Sequence, residues 1–554
     1  MDVIVYERDD GYVIERLREG EFDYIDSGDE LFESAFFRFI QAKKYLDEIS
    51  ETYPTPRKKE EVPLWFYNAS NISMRLHGAY SFHRYPFVIR CGGMLTALGP
   101  RVGIKAVHPK TGAITLSCPG FNDKNDYDRQ TPCDPDFLRK LAKDTDGKRL
   151  LSWYNRDVVR VLRKHGAFDP EGIFIGDASY LFVPDNEAYE GSVVMLFDKH
   201  NHPVDPKEVP KERMADCRWR RCYKMVSLLH SHRDGNYFVV AAVKVLPGSA
   251  HECPVLYDMV EDFTAAVGDG VMRRLILDRG FIDGERIGRC KLEHGIDVLI
   301  PVRRDLDIYH DVMGLLPQVE GRFETFQEPA EEAPPPKPSK PERIRKREAS
   351  RQKKLEEKKA AAPPPPPEET ILSRQVVKIP ELRSWGACPI PLSVVVCRDT
   401  YADGHSDVWM LIDTDPTRSP SQSRHDYTLR TQIEERHRQL KCFSDLSRFT
   451  SRAFSLVANQ VVFVLLSYTL LQIYLHQSDM KDMGRQLMAS VQRKLLPAAA
   501  FVIIYYQDKV AFLPQIHFAD ILLNLEEEPR LKARAKIKKL REEFDETLYL
   551  PRPP

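Results

Sequence analysis

Two adjacent glutamates, Glu434 and Glu435, sit among Arg430, Arg436, Arg438 and Lys441 in YTLRTQIEERHRQLK, residues 427–441, with Tyr427 at its head. A carboxylate with cations one helical turn away has two chemical uses. It makes a salt-bridged, solvated surface, or it holds a hard cation while the neighbouring charges hold the oxygens of an anionic substrate. At about 100° per residue, Tyr427, Arg430, Glu434 and Lys441 fall within roughly 60° of one another and Arg438 joins them. Leu429, Ile433 and Leu440 gather on a separate face. The spacing predicts one continuous helix, with an apolar face for a core and a stripe carrying Glu434 among cations and a phenol. Glu435 points elsewhere.

Two aspartates add to that stripe. Asp177 closes the apolar run IFI in IFIGDAS, and Asp278 closes LIL in LILDRGF. Carboxylates just past the ends of neighbouring strands converge at one edge of an α/β sheet, where ligand sites form. Taken singly, each is more often a turn or capping residue. With Glu434 they make a three-carboxylate cluster, which must be protonated or neutralised by hard cations. Oxygen-only ligation selects Mg²⁺ or Mn²⁺. Two such ions about 4 Å apart activate the attacking oxygen and stabilise the leaving oxygen of an in-line phosphoryl transfer. Arg430 as a fork, Lys441 as a point charge and Tyr427 as a hydroxyl donor would hold phosphate oxygens, so the expected substrate is a nucleic-acid backbone. Gly-rich phosphate loops and nucleophile elbows are absent, which leaves an ATPase or serine hydrolase without support.

The elements that position these residues are read from composition and periodicity. A chain of 554 residues, 42% hydrophobic, exceeds one ordinary core and implies roughly two to four domains. Its 81 basic and 82 acidic residues nearly cancel, so net charge selects no partner. The ten cysteines show no paired metal-ligand spacing, the closest two being Cys217 and Cys222 in CRWRRC. They read as reduced thiols of a cytoplasmic protein. MDVIVYERDDGY is too acidic for a signal peptide. Residues 455–475 have the length of a membrane span, but Asn459, Gln460, Ser467 and Gln472 interrupt them. A helix buried in a large core is expected there.

Residues 1–171 read as a mainly helical, irregular region that binds DNA or regulates the rest. FESAFFRFIQAKKYLDEISETY and KRLLSWYNRDVVRVLRKHG carry apolar residues at three- and four-residue spacing. Arg156, Arg160, Arg163 and Lys164 make the second segment basic, which suits DNA and equally suits a solvated face. Over 172–327, short β-branched runs first meander and then alternate with helical patterns, giving an α/β core with a mixed sheet. Residues 328–370 form a proline-rich, charged linker. Residues 371–475 resume with strands, including a hairpin turning near Ala402 to Gly404, and complete the core with the Glu434 helix. A helical region, 476–554, ends the chain and includes the basic run RLKARAKIKKLR, residues 530–541. That run and the linker suit nonspecific phosphate contact as well as solvated charge.

Tyr427, two residues, Arg430, three residues, Glu434, six residues, Lys441: this spacing resembles the Y-R-E-K motif of DDE transposases of bacterial insertion sequences, the IS-four family. Asp177 and Asp278 resemble that family's other two acidic positions, and the likeness covers residues 172 to about 475. The resemblance implies a ribonuclease-H-like α/β core with a β-rich insertion before the catalytic Glu434. It implies two Mg²⁺ (or Mn²⁺) ions on Asp177, Asp278 and Glu434, with DNA phosphates held by Tyr427, Arg430 and Lys441. It further implies double-stranded DNA as partner, both terminal inverted repeats and target, joined in a synaptic homodimer. End nicking, hairpin formation and strand transfer would follow, in the bacterial cytoplasm at the nucleoid and away from any membrane. Thr431 departs from the pattern, since many relatives carry there a tryptophan that handles a flipped base. Trp409 is an alternative stacking residue or a core residue. The register of the first aspartate leaves Asp185 and Asp198 as alternatives. His251 and Glu252 in PGSAHE match a family position at a helix start, where capping or solvation is the plainer role. Two other functions share these acids: a ribonuclease-H-like DNA nuclease without joining activity, and an inactive DNA-binding relative.

Overall fold

The chain divides into two compact units, Met1–Arg273 with Thr431–Pro554, and Arg274–Arg430. The computed structural model describes residues 2–28, 30–58, 62–85, 101–107, 114–117, 135–210, 212–326, 370–486 and 501–548, with Val88, Met94 and Val491. The linker expected over 328–370 lies outside them except for Thr370.

The first unit opens with β1 (Asp2–Arg8), α1 (Asp10–Arg18) and β2 (Tyr24–Gly28). Helices α2 (Glu30–Ala42), α3 (Tyr45–Glu51) and α4 (Leu64–Leu76) follow, then β3 (Arg101–Val107), β4 (Ile114–Ser117), α5 (Pro135–Asp144), α6 (Gly147–Trp153) and α7 (Val159–Lys164). A π-turn, Tyr154–Val158, joins the last two. It is a docking device. The Asn155 amide donates to Val243 O at 2.9 Å and accepts from Val243 N at 2.8 Å, while Tyr154 Oη donates to Val240 O at 3.0 Å.

Those carbonyls belong to a second group of strands: β5 (Ile173–Val183), β6 (Val193–Phe197), β7 (Arg218–Ser231) and β8 (Phe238–Pro247), followed by α8 (Glu252–Val267). β5 pairs antiparallel with β7 from Ile173↔Ser231 to Val183↔Arg221. β6 and β8 share the other edge of β7 in succession. Asn155, Tyr154 and Thr469, whose hydroxyl accepts from Val240 N at 3.2 Å, cover the backbone of β8 that β7 leaves unpaired. An edge that could template foreign strands is thereby closed. Asp177 was expected at a strand end and is instead internal, opposite Ser227, because Tyr180, Leu181, Phe182 and Val183 extend the β pattern and β7 is long enough to pair with all of them.

The second unit holds β9 (Arg274–Ile276), α9 (Gly284–His294), β10 (Asp297–Pro301), α10 (Asp307–Val319), β11 (Glu324–Thr325), β12 (Ile371–Leu382), β13 (Leu392–Tyr401), β14 (Ser406–Asp413) and α11 (Pro420–Thr428). Its strands lie in the order β11-β12-β13-β14-β10-β9, with β9 and β10 parallel and the other pairs antiparallel. The expected β13–β14 hairpin is present, and Gly404 at its turn has φ +90°, a backbone region that glycine enters without strain. Arg274, 4% exposed, forks onto Asp413 at 3.1 and 2.8 Å and reaches Asp426 at 2.8 Å, so a buried ion network ties β9, β14 and α11.

The chain re-enters the first unit along α12 (Arg430–Phe443), followed by α13 (Phe454–Gln477), β15 (Phe501–Tyr506), β16 (Lys509–Pro514), α14 (Gln515–Leu523) and α15 (Glu527–Leu548). α13 is long and apolar enough to cross a membrane, yet 89% of its most apolar window is buried inside the protein, against α4, α6 and β8. Its polar residues are used internally: Asn459 donates to Tyr67 Oη at 3.0 Å and Gln460 to Asp445 O at 2.7 Å. Both ends of the chain build one six-stranded sheet, β2-β15-β16-β1-β3-β4, in which β1 and β16 run parallel. The expectations of a mainly helical 1–171 and a helical 476–554 miss these strands. Each is short, and although β3–β4 and β15–β16 pair locally, β1 with β16 and β2 with β15 find each other hundreds of residues apart, a pairing that local periodicity does not encode.

Candidate functional site

α12 docks through Ile433 and Leu440, 1% and 2% exposed, as its predicted apolar face requires. A third anchor is a buried guanidinium. Arg436, 2% exposed, donates to Gly484 O at 2.9 Å and lies over the Phe238 ring at 4.6 Å. This fixes the rotation of the helix and brings two of its side chains onto β5 and β7. Lys441 Nζ donates to Ser179 Oγ at 2.6 Å, and His437 sets Nε2 at 2.8 Å from Ser227 Oγ and Nδ1 at 3.6 Å from Asp177 Oδ2. Asp177 and Ser227 are cross-strand partners, and Ser179 is two residues on, so all three project from one sheet face. Burial pushes the Lys441 ammonium down to about 8, against the opposing pull of the Asp177 carboxylate. Glu434, exposed, precedes His437 by one turn on the same stripe.

Glu435 is occupied differently. Arg438 forks onto its carboxylate with two bonds of 2.7 Å, Gln439 adds a third at 2.7 Å, and the Arg438 bonds above all push its pKa down to about 2. Arg438, expected beside Glu434, therefore belongs to Glu435, because three-residue spacing lets a guanidinium close a fork on the preceding turn.

In the second unit, Asp278 follows β9 and caps a 3₁₀ turn, Arg279–Phe281, accepting from Arg279 N at 2.7 Å. Its other oxygen lies 3.2 Å from Arg430 Nη2, and its side chain keeps 37% of its surface exposed. Tyr427 does not share one helix with Arg430, as expected, but ends α11. The Ser419–Gln422 capping box and Pro420 start that short helix, and Leu429 N bonding Asp426 O at 3.0 Å tightens its end before α12 begins. Asp426, held by Arg418 at 2.7 Å and by Arg274, anchors α11 and with it Tyr427. Trp409 is half-buried: its indole N–H donates to Asp399 at 3.2 Å, and its ring tilts against Tyr427 at 6.0 Å.

The alternative positions have plain roles. Asp185 pairs with Arg221 at 3.2 Å, Asp198 accepts from His200 N and His202 N in a turn, and Glu252 pairs with Lys224 at 2.6 Å. His251 occupies an N-cap position without a side-chain capping bond. Sequence reading missed His437, Ser179 and Ser227. Only His437 carried a signal, its three-residue offset from Glu434. Among the described residues no group of three or more His, Cys, Asp or Glu side chains is arranged to hold a metal ion.

A sequence model of the transposase DDE domain matches residues 190–470, half of the chain. The chain belongs to the DDE transposase family. The matched span takes in Asp278, Tyr427, Arg430, Glu434 and Lys441 of this transposase and begins after Asp177. Comparison with curated proteins found no match. Family membership gives the transposase DNA as its substrate class and polynucleotidyl transfer as its reaction class.

Proposed function

We propose that this DDE transposase moves an insertion sequence of the IS-four type by cut and paste, through end nicking, hairpin formation and strand transfer. The observation that carries this reading is the seating of α12, which bears Arg430, Glu434 and Lys441, on the Asp177 strand, through Lys441 to Ser179 and His437 to Asp177. A ribonuclease-H-like core is supported by the antiparallel β5-β7-β8 group followed by α8, and by the parallel β9 and β10 with Asp278 after β9. The insertion before Glu434 corresponds to β12, β13 and β14.

Asp177, Asp278 and Glu434 are hard oxygen donors, the type that suits Mg²⁺ or Mn²⁺, and they are the residues that would hold two ions. The bound ions would supply Lewis-acid stabilisation and lower the pKa of a bound water. The protein's own groups do the rest. His437, braced by Ser227, sets the rotamer of Asp177. Lys441 presents an ammonium and Arg430 a fork to terminal phosphate oxygens, and Tyr427 adds a hydroxyl donor. Substrate DNA would be the paired ends of the element, bound by a homodimer, and then target DNA.

A strand-transfer assay tests the reading. Purified protein, Mg²⁺, a labelled duplex spanning the junction of the element and its flank, and a target plasmid should yield joined molecules. Cleaved ends without joining would instead make the chain a nuclease, and end binding without cleavage would make it an inactive relative.

A further inference from the structure

The far end of β7 is built unlike the rest of the first unit. Trp219 is 61% exposed in the middle of CRWRRC, and Val194 on the adjoining strand β6 is 39% exposed. Cross-strand pairing puts Trp219 opposite Leu196 and Val194 opposite Arg221, so Trp219, Val194 and Arg221 share one face. Asp177 and Ser227 lie on that same face of the pleat, since Trp219 and Ser227 are separated by an even number of residues. Eight residues of strand between them span roughly 26 Å.

The tip is rich in cations, some of them already engaged. Arg220 stacks over the Phe182 ring at 3.4 Å and donates to Asn201 at 2.6 Å, and Arg221 is held by Asp185 at 3.2 Å. Asp198 is taken up by His200 N, His202 N and the His202 ring. Arg218, next to Trp219 at the start of β7, alternates to the other face of the sheet, and Lys199 lies in the turn after β6. Both are exposed at this end of the strands and have no acidic partner among the described residues. An indole exposed on a strand, with open cations at the same end of the sheet, is the chemistry of a base-stacking platform beside a phosphate track. In a duplex the base faces are covered by their neighbours, so such a platform selects unpaired bases.

We propose that the Trp219 tip, with Arg218 and Lys199, is an accessory site for single-stranded or unpaired DNA, about 26 Å along the strand from Asp177. This rests on the transposase reading and deepens it. DNA opened during transposition would be held at a distance from the cleaved phosphate, on the sheet face that carries Asp177.

Fluorescence anisotropy on the full-length chain tests the site, with labelled thirty-nucleotide oligo(dT) and a thirty-base-pair duplex of mixed sequence as probes. Trp219→Ala should weaken oligo(dT) binding about tenfold while changing duplex binding less than twofold, and Trp219→Phe should keep most of the affinity. Arg218→Gln should weaken oligo(dT) binding severalfold and flatten its salt dependence. An unchanged affinity of Trp219→Ala for oligo(dT), or an equal loss on both probes, overturns the platform. A Trp219→Ala protein that binds both probes normally but sediments as a smaller species makes the patch a protein interface and also overturns it. If the wild-type chain cuts and joins DNA while Trp219→Ala binds normally, only this inference fails. If the wild-type chain binds neither probe, the transposase reading fails with it.

Discussion

Glu434 and Glu435 differ by one position and share almost nothing in environment. Glu435 is locked by Arg438 and Gln439, whereas Glu434 stands exposed on the stripe of His437 and Lys441. Removing Glu435 deletes a surface ion pair worth roughly 0.2–1 kcal/mol and should leave activity standing. Lys441 makes a sharper case. Its ammonium is pushed down to about 8 by burial, so the folded protein holds that charge at a cost. Lys441→Met should keep or raise the thermal midpoint while end nicking falls about tenfold or more, from loss of a charged hydrogen bond to phosphate. A drop in midpoint matching the loss of nicking would mean that Lys441 is structural. His437 acts through Asp177. His437→Ala should raise the Mn²⁺ concentration needed for half-maximal nicking, and His437→Gln, which can still reach Ser227, should recover part of it; an unchanged metal requirement would remove His437 from the site.

At the scale of elements, β5 and β7 are braced by groups that no motif announces. His230, fully buried, sets Nε2 at 2.9 Å from Asp169 N and Nδ1 at 3.0 Å from Ile173 O, and burial pushes its pKa from 6.5 down to about 4. The folded state therefore binds no proton here in the window where the unfolded chain does. Stability from this residue is full above pH 6.5 and is lost as pH falls toward 4, an effect on the order of 3 kcal/mol. Urea midpoints at pH 7.5 and 5 should differ less for His230→Gln than for the wild type. The π-turn offers a second check: Asn155→Ala leaves Val243 N and O without their partner and should cost about 2 kcal/mol or more in urea unfolding. The apolar face of α12, the α8 and α9 helices and the β13–β14 hairpin were legible because each is set by residues close in sequence. The interruption at Leu429 was not, since Leu429 itself suits a helix and the signal lies upstream, in the capping of Ser419, Pro420 and Gln422. Asp177 inside a strand was missed for a related reason: its neighbours in β7 lie about fifty residues away, and pairing, not composition, extends the strand.

On the scale of the whole molecule, the ends of the chain are structural partners. β15 and β16 fill the space between β2 and β1, and Val502, Ile504 and Leu513 share a core with Val13, Leu17 and Phe22. Truncation after residue 486 should expose residues 1–28 to rapid proteolysis; equal protection in the truncated and full chains would contradict this pairing. The second unit is entered at Arg274 and left at Arg430, so it interrupts the first in sequence. The boundary falls inside the Y-R-E-K motif, with Tyr427 and Arg430 in the second unit and Glu434 and Lys441 in the first. The proposed function requires Glu434, and not Glu435, to be the carboxylate that holds the metal. The direct measurement is Mg²⁺-dependent release of 3′-hydroxyl ends from a plasmid carrying the element with its flanks. Wild type and Glu435→Ala should nick at comparable rates and Glu434→Ala should not nick at all; nicking by Glu434→Ala, or its loss in Glu435→Ala, would contradict the account.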